Sequence, residues 1–261
     1  MIGIFDSGVG GLTVVKEIKK ILSDVPIIYF GDTARLPYGN KSPETIRKYS
    51  QEIVEFLKSK GCKTVIIACN SASALAADYI REKYPDLKIY DVVSSGVKAA
   101  IEATKTKKIA VIGTTATINS SVYKKKISEI DSKIEVFTQA CPLFVPLVEE
   151  NWIKRPETKK IARTYLRNLK LEKVDILLLG CTHYPLLEKI ISGVMGQRTK
   201  IISSGEKLAK EIKKAHLETR FPSKGEDEYF VSDHTQYFAD LASRILGKSI
   251  KINKVVLKSK N

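Results

Sequence analysis

Two cysteines, Cys69 and Cys181, stand in the same local setting. Each follows a short apolar run, Val65-Ile66-Ile67-Ala68 in one case and Ile176-Leu177-Leu178-Leu179 with Gly180 in the other. Each leads into a polar turn, Asn70-Ser71 and Thr182-His183. A single cysteine after a strand is more often a small buried hydrophobe than a reactive group. Two in matched positions favour a shared chemical task. A thiol just ahead of a helix N-terminus is expected to have its pKa drawn from about 8.5 toward neutrality, because the helix N–H dipoles favour the thiolate. A thiolate on one face of a carbon acid and a thiol on the other can invert a stereocentre: one takes the α-proton and the other delivers a proton to the opposite face. Such bases work best with pKa values near the working pH, and fixed N–H donors in a water-poor site would carry the carbanion's charge. His183 is placed to relay protons or orient the Cys181 thiol, or else to cap and pack. Asp6 is placed to hydrogen-bond a thiol or a substrate ammonium group, or else to make an Asx-turn. Cys62 and Cys141 lack this setting and read as structural, and His216 and His234 read as surface or helix-end residues.

Other chemistries fit less well. The segment Gly8-Val9-Gly10-Gly11-Leu12-Thr13 has threonine where a dinucleotide fingerprint needs its third glycine, and no P-loop string occurs. What remains is a tight strand-to-helix turn whose N–H groups suit a carboxylate, or glycines that serve the turn alone. No cysteine pair has C-x-x-C spacing and no histidine sits at ligand spacing from a cysteine, so no metal is expected. No lysine stands out as a Schiff-base site, so no pyridoxal cofactor is expected either.

The elements that must position these residues follow from periodicity. Strands are predicted at 2–5, 26–31, 63–68, 87–93, 108–112, 133–138, 174–179, 199–203, 228–232 and 250–256. Helices are predicted at 11–22, 43–60, 71–83, 94–105, 116–129, 157–170, 184–192, 204–216 and 235–246. Ser42-Pro43-Glu44 is a helix start, and Gly61 is placed to stop that helix. Strands apolar on both faces, alternating with helices, predict an α/β fold with mostly parallel sheets. The pattern runs twice: Ile2-Gly3-Ile4-Phe5 and Ile109-Ala110-Val111-Ile112 lead into small polar turns, and the two cysteine strands follow later in each half. The chain therefore reads as two similar domains, 1–93 with 208–261 and 94–207. Ligands of such sheets bind beyond the carboxyl ends of the strands, so the site is expected in the cleft between the domains.

The 261 residues, 43% of them hydrophobic, suffice for a large core. A disulfide framework is implausible at this length, the opening residues read as strand and turn, and no apolar run approaches the ~18 residues needed to span a bilayer. A reduced, cytoplasmic setting is expected, with no membrane partner. The net charge of +15 would attract anions. Spread over many helices, the lysines read chiefly as a solvated surface. Interleaved aromatics and known nucleic-acid motifs are lacking, which leaves a contact with nucleic acid as an unsupported rival.

The motifs resemble those of the glutamate racemases, within the aspartate/glutamate racemase superfamily. They are Ile4-Phe5-Asp6-Ser7-Gly8-Val9-Gly10-Gly11 running on to Val14, Gly31-Asp32-Thr33-Ala34-Arg35-Leu36-Pro37-Tyr38-Gly39, Ile67-Ala68-Cys69-Asn70-Ser71 running on to Ala74, Cys141-Pro142-Leu143-Phe144 running on to Glu150, and Gly180-Cys181-Thr182-His183-Tyr184-Pro185 running on to Leu187. The resemblance implies Cys69 as the base acting on the D-enantiomer and Cys181 as the base acting on the L-enantiomer. It implies Asp6 and His183 as their assistants, Glu149 as a further polar assistant, and Asp32 as support. It implies Asp6, Ser7, Tyr38, Gly39, Asn70, Ser71, Thr182 and His183 as substrate-holding positions. It further implies glutamate as substrate, no cofactor and no metal, a supply of D-glutamate for the cell wall, and a homodimer. Ser71 stands where the family usually has threonine, Asn151 where glycine is usual, and Ile202-Ser203-Ser204 where an acid often precedes the helix. Aspartate is the rival substrate within the superfamily, and the resemblance raises a contact with gyrase as a second role that no site in this sequence supports.

Overall fold

The structure is a computed structural model that describes residues 1–219 and 225–257. Along the chain run β1 (Ile2–Asp6), α1 (Leu12–Ile21), β2 (Ile27–Gly31), α2 (Pro43–Ser59), β3 (Thr64–Ile67), α3 (Asn70–Lys83), β4 (Lys88–Asp91) and α4 (Val92–Ala103). They are followed by β5 (Lys108–Gly113), α5 (Thr115–Asn119), α6 (Val122–Ile130), β6 (Glu135–Ala140), α7 (Phe144–Glu149), α8 (Pro156–Leu171), β7 (Ile176–Gly180), α9 (Glu188–Met195) and β8 (Lys200–Ser203). The chain ends with α10 (Ser204–Thr219), β9 (Glu228–Val231), α11 (Gln236–Leu246) and β10 (Ile252–Lys254). No helix among the described residues is long and apolar enough to cross a membrane.

Two sheets form, both wholly parallel in their strand pairs. One has the order β10-β9-β2-β1-β3-β4 and the other β6-β5-β7-β8. The runs β2-β1-β3-β4 and β6-β5-β7-β8 are the same arrangement used twice, so the cysteine strands β3 and β7 are equivalent neighbours of the central β1 and β5. Every residue of β1, β2, β3 and β7 is buried, as expected for parallel strands covered on both faces. One apolar cluster packs α2 and α3 on Phe5, Ile28 and Ile67. A second packs α4 and α6 on Ile109, Val111 and Leu178. The third lies between the sheets and joins Ile4 and Tyr29 of one to Ala110, Leu177 and Leu179 of the other. The two layers thus share a core, with α10 packed against both α1 and α4.

Local signals act as expected at α2: the Ser42 hydroxyl accepts from Thr45 N, Pro43 opens the helix, and Gly61 follows its end at φ +82°. The predicted helix 116–129 is instead two helices. Ser121 adopts φ +55° between them, and the Ser120 hydroxyl donates to Thr117 O at 2.6 Å and accepts from Val122 N at 3.3 Å, so side-chain hydrogen bonds replace the helical ladder. The predicted helix 184–192 begins as a 3₁₀ turn, Tyr184–Leu187, and becomes α-helical only at Glu188. The last predicted strand shrinks from 250–256 to Ile252–Lys254. Helix α7 was not foreseen.

Candidate active site

The carboxyl ends of β1, β3, β5 and β7 meet between the two sheets. Asp6, the last residue of β1, is fully buried. Its Oδ2 accepts from Gly8 N at 2.9 Å, and its Oδ1 accepts from the Thr182 hydroxyl at 3.2 Å. The glycine turn owes its composition to this crowding. A side chain at Gly10 would collide with Thr182 and the His183 ring, and one at Gly11 with Asp6. Gly8 is held from the other side, its carbonyl accepting from the Tyr29 hydroxyl at 2.6 Å.

Cys69 lies at the N-cap position of α3, with Sγ 3.7 Å from Ser7 Oγ. Cys181 follows β7, with Sγ 3.9 Å from His183 Nδ1. Both thiols are buried, and both line one cavity with Ser7, Tyr38, Asn70 and Thr182. His183 Nε2 lies 2.6 Å from Glu149 Oε1 at the end of α7. The unforeseen helix therefore delivers the carboxylate behind the histidine.

Two expectations about the thiols need correction. Burial, and next the charge of Asp6, push the Cys69 thiol up to about 12, against the pull of the Ala72 N–H and of Ser7. Desolvation outweighs the helix terminus here. Cys181 does not stand at an α-helix N-terminus at all, because the 3₁₀ turn intervenes before Glu188. Burial also raises the Asp6 carboxyl above the usual range, although His183, the N–H groups of Gly8 and Gly11, and Thr182 all oppose it. For His183, burial works to lower the pKa, but the hydrogen bonds and charges of Cys181 and Glu149 win and hold it well above 6.5. Burial thus favours the protonated form of the Cys69 thiol, while Cys181 and Glu149 favour the protonated form of the imidazole behind the site.

The remaining predicted positions are occupied as follows. The Tyr38 hydroxyl donates to Asp32, and Gly39 lines the cavity. Asn70 Oδ1 accepts from the Tyr123 hydroxyl at 2.7 Å, and Ser71 Oγ lies 2.9 Å from Thr114 Oγ1 and 3.2 Å from Thr117 Oγ1. Both side chains thus bind across to residues around α5 and α6, beyond the end of β5. Thr114, Thr117 and Tyr123 were not foreseen as site partners. The only signal was Thr114's place in the turn that repeats Ser7's.

The cavity has a volume of about 20 Å³, room for roughly one water. Outside it lies a mostly apolar vestibule of about 300 Å³, lined by Leu36, Pro37, Pro142, Val145, Pro146 and Glu149. Leu36, Pro37, Gly39, Thr114 and Val145 border both spaces, so they form the partition. Larger open grooves elsewhere contain no cysteine. Among the described residues no cluster of three or more His, Cys, Asp or Glu side chains is arranged to hold a metal ion. What the site can do is exchange protons between two thiols, a histidine–carboxylate pair and a buried aspartate.

The sequence profile of the Asp/Glu/Hydantoin racemase family matches residues 2–212. The chain belongs to this family. A glutamate racemase of Geobacter metallireducens is 45% identical over 250 residues, 94% of this chain and 92% of its own length. Among solved structures, a glutamate racemase isoform from Bacillus anthracis superposes with a TM-score of 0.94 at 37% identity, covering 98% of this chain and 97% of that one. The glutamate racemase of Francisella tularensis, solved in complex with D-glutamate, gives a TM-score of 0.93 at 34% identity, with coverage of 99% and 98%. The racemase family assignment thus agrees with the site's chemistry and with the two-domain α/β fold bearing its site in the cleft.

Proposed function

We propose that this racemase interconverts L- and D-glutamate without a cofactor, Cys181 exchanging the α-proton of the L-enantiomer and Cys69 that of the D-enantiomer. The observation that carries the reading is two buried thiols, from equivalent strand ends of two repeated sheets, lining one small cavity. In the L-to-D direction Cys181 removes the proton and the protonated Cys69 thiol delivers one from the opposite face. Asp6 acts on Cys69 through its charge and through the turn it fixes, and the His183–Glu149 pair serves Cys181. Ser7, Tyr38, Gly39, Asn70, Ser71, Thr182 and His183 hold the substrate, with Asp32 behind Tyr38. Exclusion of water strengthens every electrostatic interaction with the developing carbanion. Because the resting cavity holds only about one water, glutamate enters through the vestibule as the partition moves aside and closes again over it. Residues 1–93 with the described residues of 208–261, and residues 94–207, are the two bodies between which this occurs. Cytoplasmic location, homodimer formation and supply of D-glutamate to peptidoglycan complete the proposal.

The test is circular dichroism of the purified, reduced protein with L-glutamate and, separately, L-aspartate, with no cofactor added. Decay of the optical signal to zero with glutamate alone is the expected result. Decay with aspartate alone would retain the two-thiol chemistry and overturn the substrate.

A further inference from the structure

Tyr38 is buried in the wall of the cavity and shares an apolar cluster with Cys69. Its hydroxyl donates to Asp32, a fully buried carboxylate. Arg35 grips the same carboxylate, with Nε 3.0 Å from Oδ1 and 2.7 Å from Oδ2, the oxygen that also accepts from Tyr38. The same guanidinium pairs through Nη1 with Glu52 of α2 and lies 4.0 Å over the Tyr49 ring, which in turn sits 5.7 Å from the Tyr38 ring. The segment after β2 is fastened just beyond β9: the Thr33 hydroxyl donates to Asp233 O at 2.5 Å, and Ala34 N donates to Ser232 Oγ at 2.9 Å. Arg35 does not line the cavity. Its effect is on Asp32, because a buried carboxylate is tolerated as an acceptor only with a matched counter-charge.

We propose that Arg35 is a positioning residue for this racemase: through Asp32 it fixes Tyr38 and with it the segment Leu36-Pro37-Tyr38-Gly39 that separates Cys69 from the vestibule. The role rests on the two-thiol racemisation proposed above. Lysine cannot replace it, since an ammonium offers a point charge where the fork both grips Asp32 and reaches Glu52. Without the fork, the Asp32–Tyr38 bond loosens, the partition opens more often, and Cys69 meets solvent.

The test uses Arg35→Lys and Tyr38→Phe, alone and combined, in the full chain. Steady-state racemisation is measured in both directions, and the iodoacetamide alkylation rates of Cys69 and Cys181 are measured at fixed pH without substrate, resolved by peptide mass. Each single variant is expected to lose on the order of tenfold in kcat/KM, chiefly through KM, the scale of one charge-assisted hydrogen bond. Cys69 alkylation should rise by a similar factor while that of Cys181 stays constant. The double variant should lose no more than the worse single one, since both break one link. Unchanged KM and unchanged Cys69 alkylation in Tyr38→Phe, or full additivity in the double variant, would overturn the proposal. Tyr38→Phe keeps the ring volume and decides the matter should Arg35→Lys fail to fold. If the unsubstituted protein fails to racemise glutamate, the two-thiol reading falls, and the alkylation rates still decide the role of Arg35.

Discussion

The Thr182 hydroxyl donates to Asp6 Oδ1 at 3.2 Å, a hydrogen bond that crosses from the second sheet's strand end to the first's. It ties the turn bearing Cys181 to the residue whose charge bears on Cys69. Asp6 is fully buried and its carboxyl is raised above the usual range, desolvation being the largest cause.

Asp6→Asn should therefore separate stability from activity. A carboxyl with a raised folded-state pKa contributes stability that is present below the unfolded value, near 3.8, and is lost as pH rises through the folded value. At neutral pH the burial of this carboxyl is thus a liability. Asparagine can still accept from Gly8 N and donate to Thr182. Thermal unfolding at pH 7 should show an increase of a few degrees, about 2–4 °C for each kcal/mol in a chain of this size, while racemisation falls by about 10²-fold or more. A lower melting temperature at pH 7 would contradict this account of Asp6.

His183 and Glu149 yield a pH prediction of definite sign. The His183 pKa stands well above 6.5, Cys181 and Glu149 together outweighing burial. A histidine raised in this way adds stability below the unfolded value and loses it as pH rises through the folded one. The stability penalty of Glu149→Gln should be largest in acid and shrink in alkali, as followed by urea unfolding at several pH values. The same variant should move the His183 limb of the kcat profile to lower pH, because burial then acts on the imidazole without its charged partner. Its activity loss should be smaller than the ~10²–10⁴-fold typical of removing a proton-transfer group itself, since Glu149 acts through His183.

Gly10 tests how closely the two halves must approach. An added methyl group there would overlap Thr182 Oγ1 and the His183 ring. Neither neighbour can give way freely, being buried and engaged with Asp6 and Glu149 respectively. Gly10→Ala should cost about 10²-fold in kcat, the scale set by displacing reacting groups by roughly 1 Å. Gly193, with no atom near its absent side chain, is the control: Gly193→Ala should leave kcat unchanged.

These relationships differ in how far the sequence exposes them. The cysteine strands are legible because parallel strands buried on both faces read as unbroken apolar runs, and because the run-and-turn pattern occurs twice. Asp6 and His183 are legible for the same reason, standing at or beside those turns. Helix α7 is not, since Phe144–Glu149 is too short to show a period and contains Pro146; only the resemblance pointed to Glu149. The pairs Asn70–Tyr123 and Ser71–Thr114 join residues 53 and 43 positions apart, beyond the reach of local patterning. The Cys69 thiol was misjudged because sequence shows the helix terminus and hides the desolvation that overrides it. Arg35 sits inside a motif, yet nothing local says that its second partner is Glu52, 17 residues on.

The thiols provide the sharpest prediction. Cys69→Ser and Cys181→Ser should each lower racemisation by at least ~10³-fold, because a serine hydroxyl is a far weaker proton-transfer group at neutral pH. The losses should differ in what survives. Cys69→Ser retains Cys181 with His183 3.9 Å away, so it should still exchange the α-proton of L-glutamate with D₂O without inverting it. Cys181→Ser should exchange only the D-enantiomer, and more slowly at neutral pH, because the remaining thiol is held near 12 by burial and by Asp6 and must first lose its proton. Proton NMR of each enantiomer with each variant reads all four combinations. Exchange of both enantiomers by one variant would mean that a single base reaches both faces of the substrate, and the division of labour between the two cysteines would have to be abandoned.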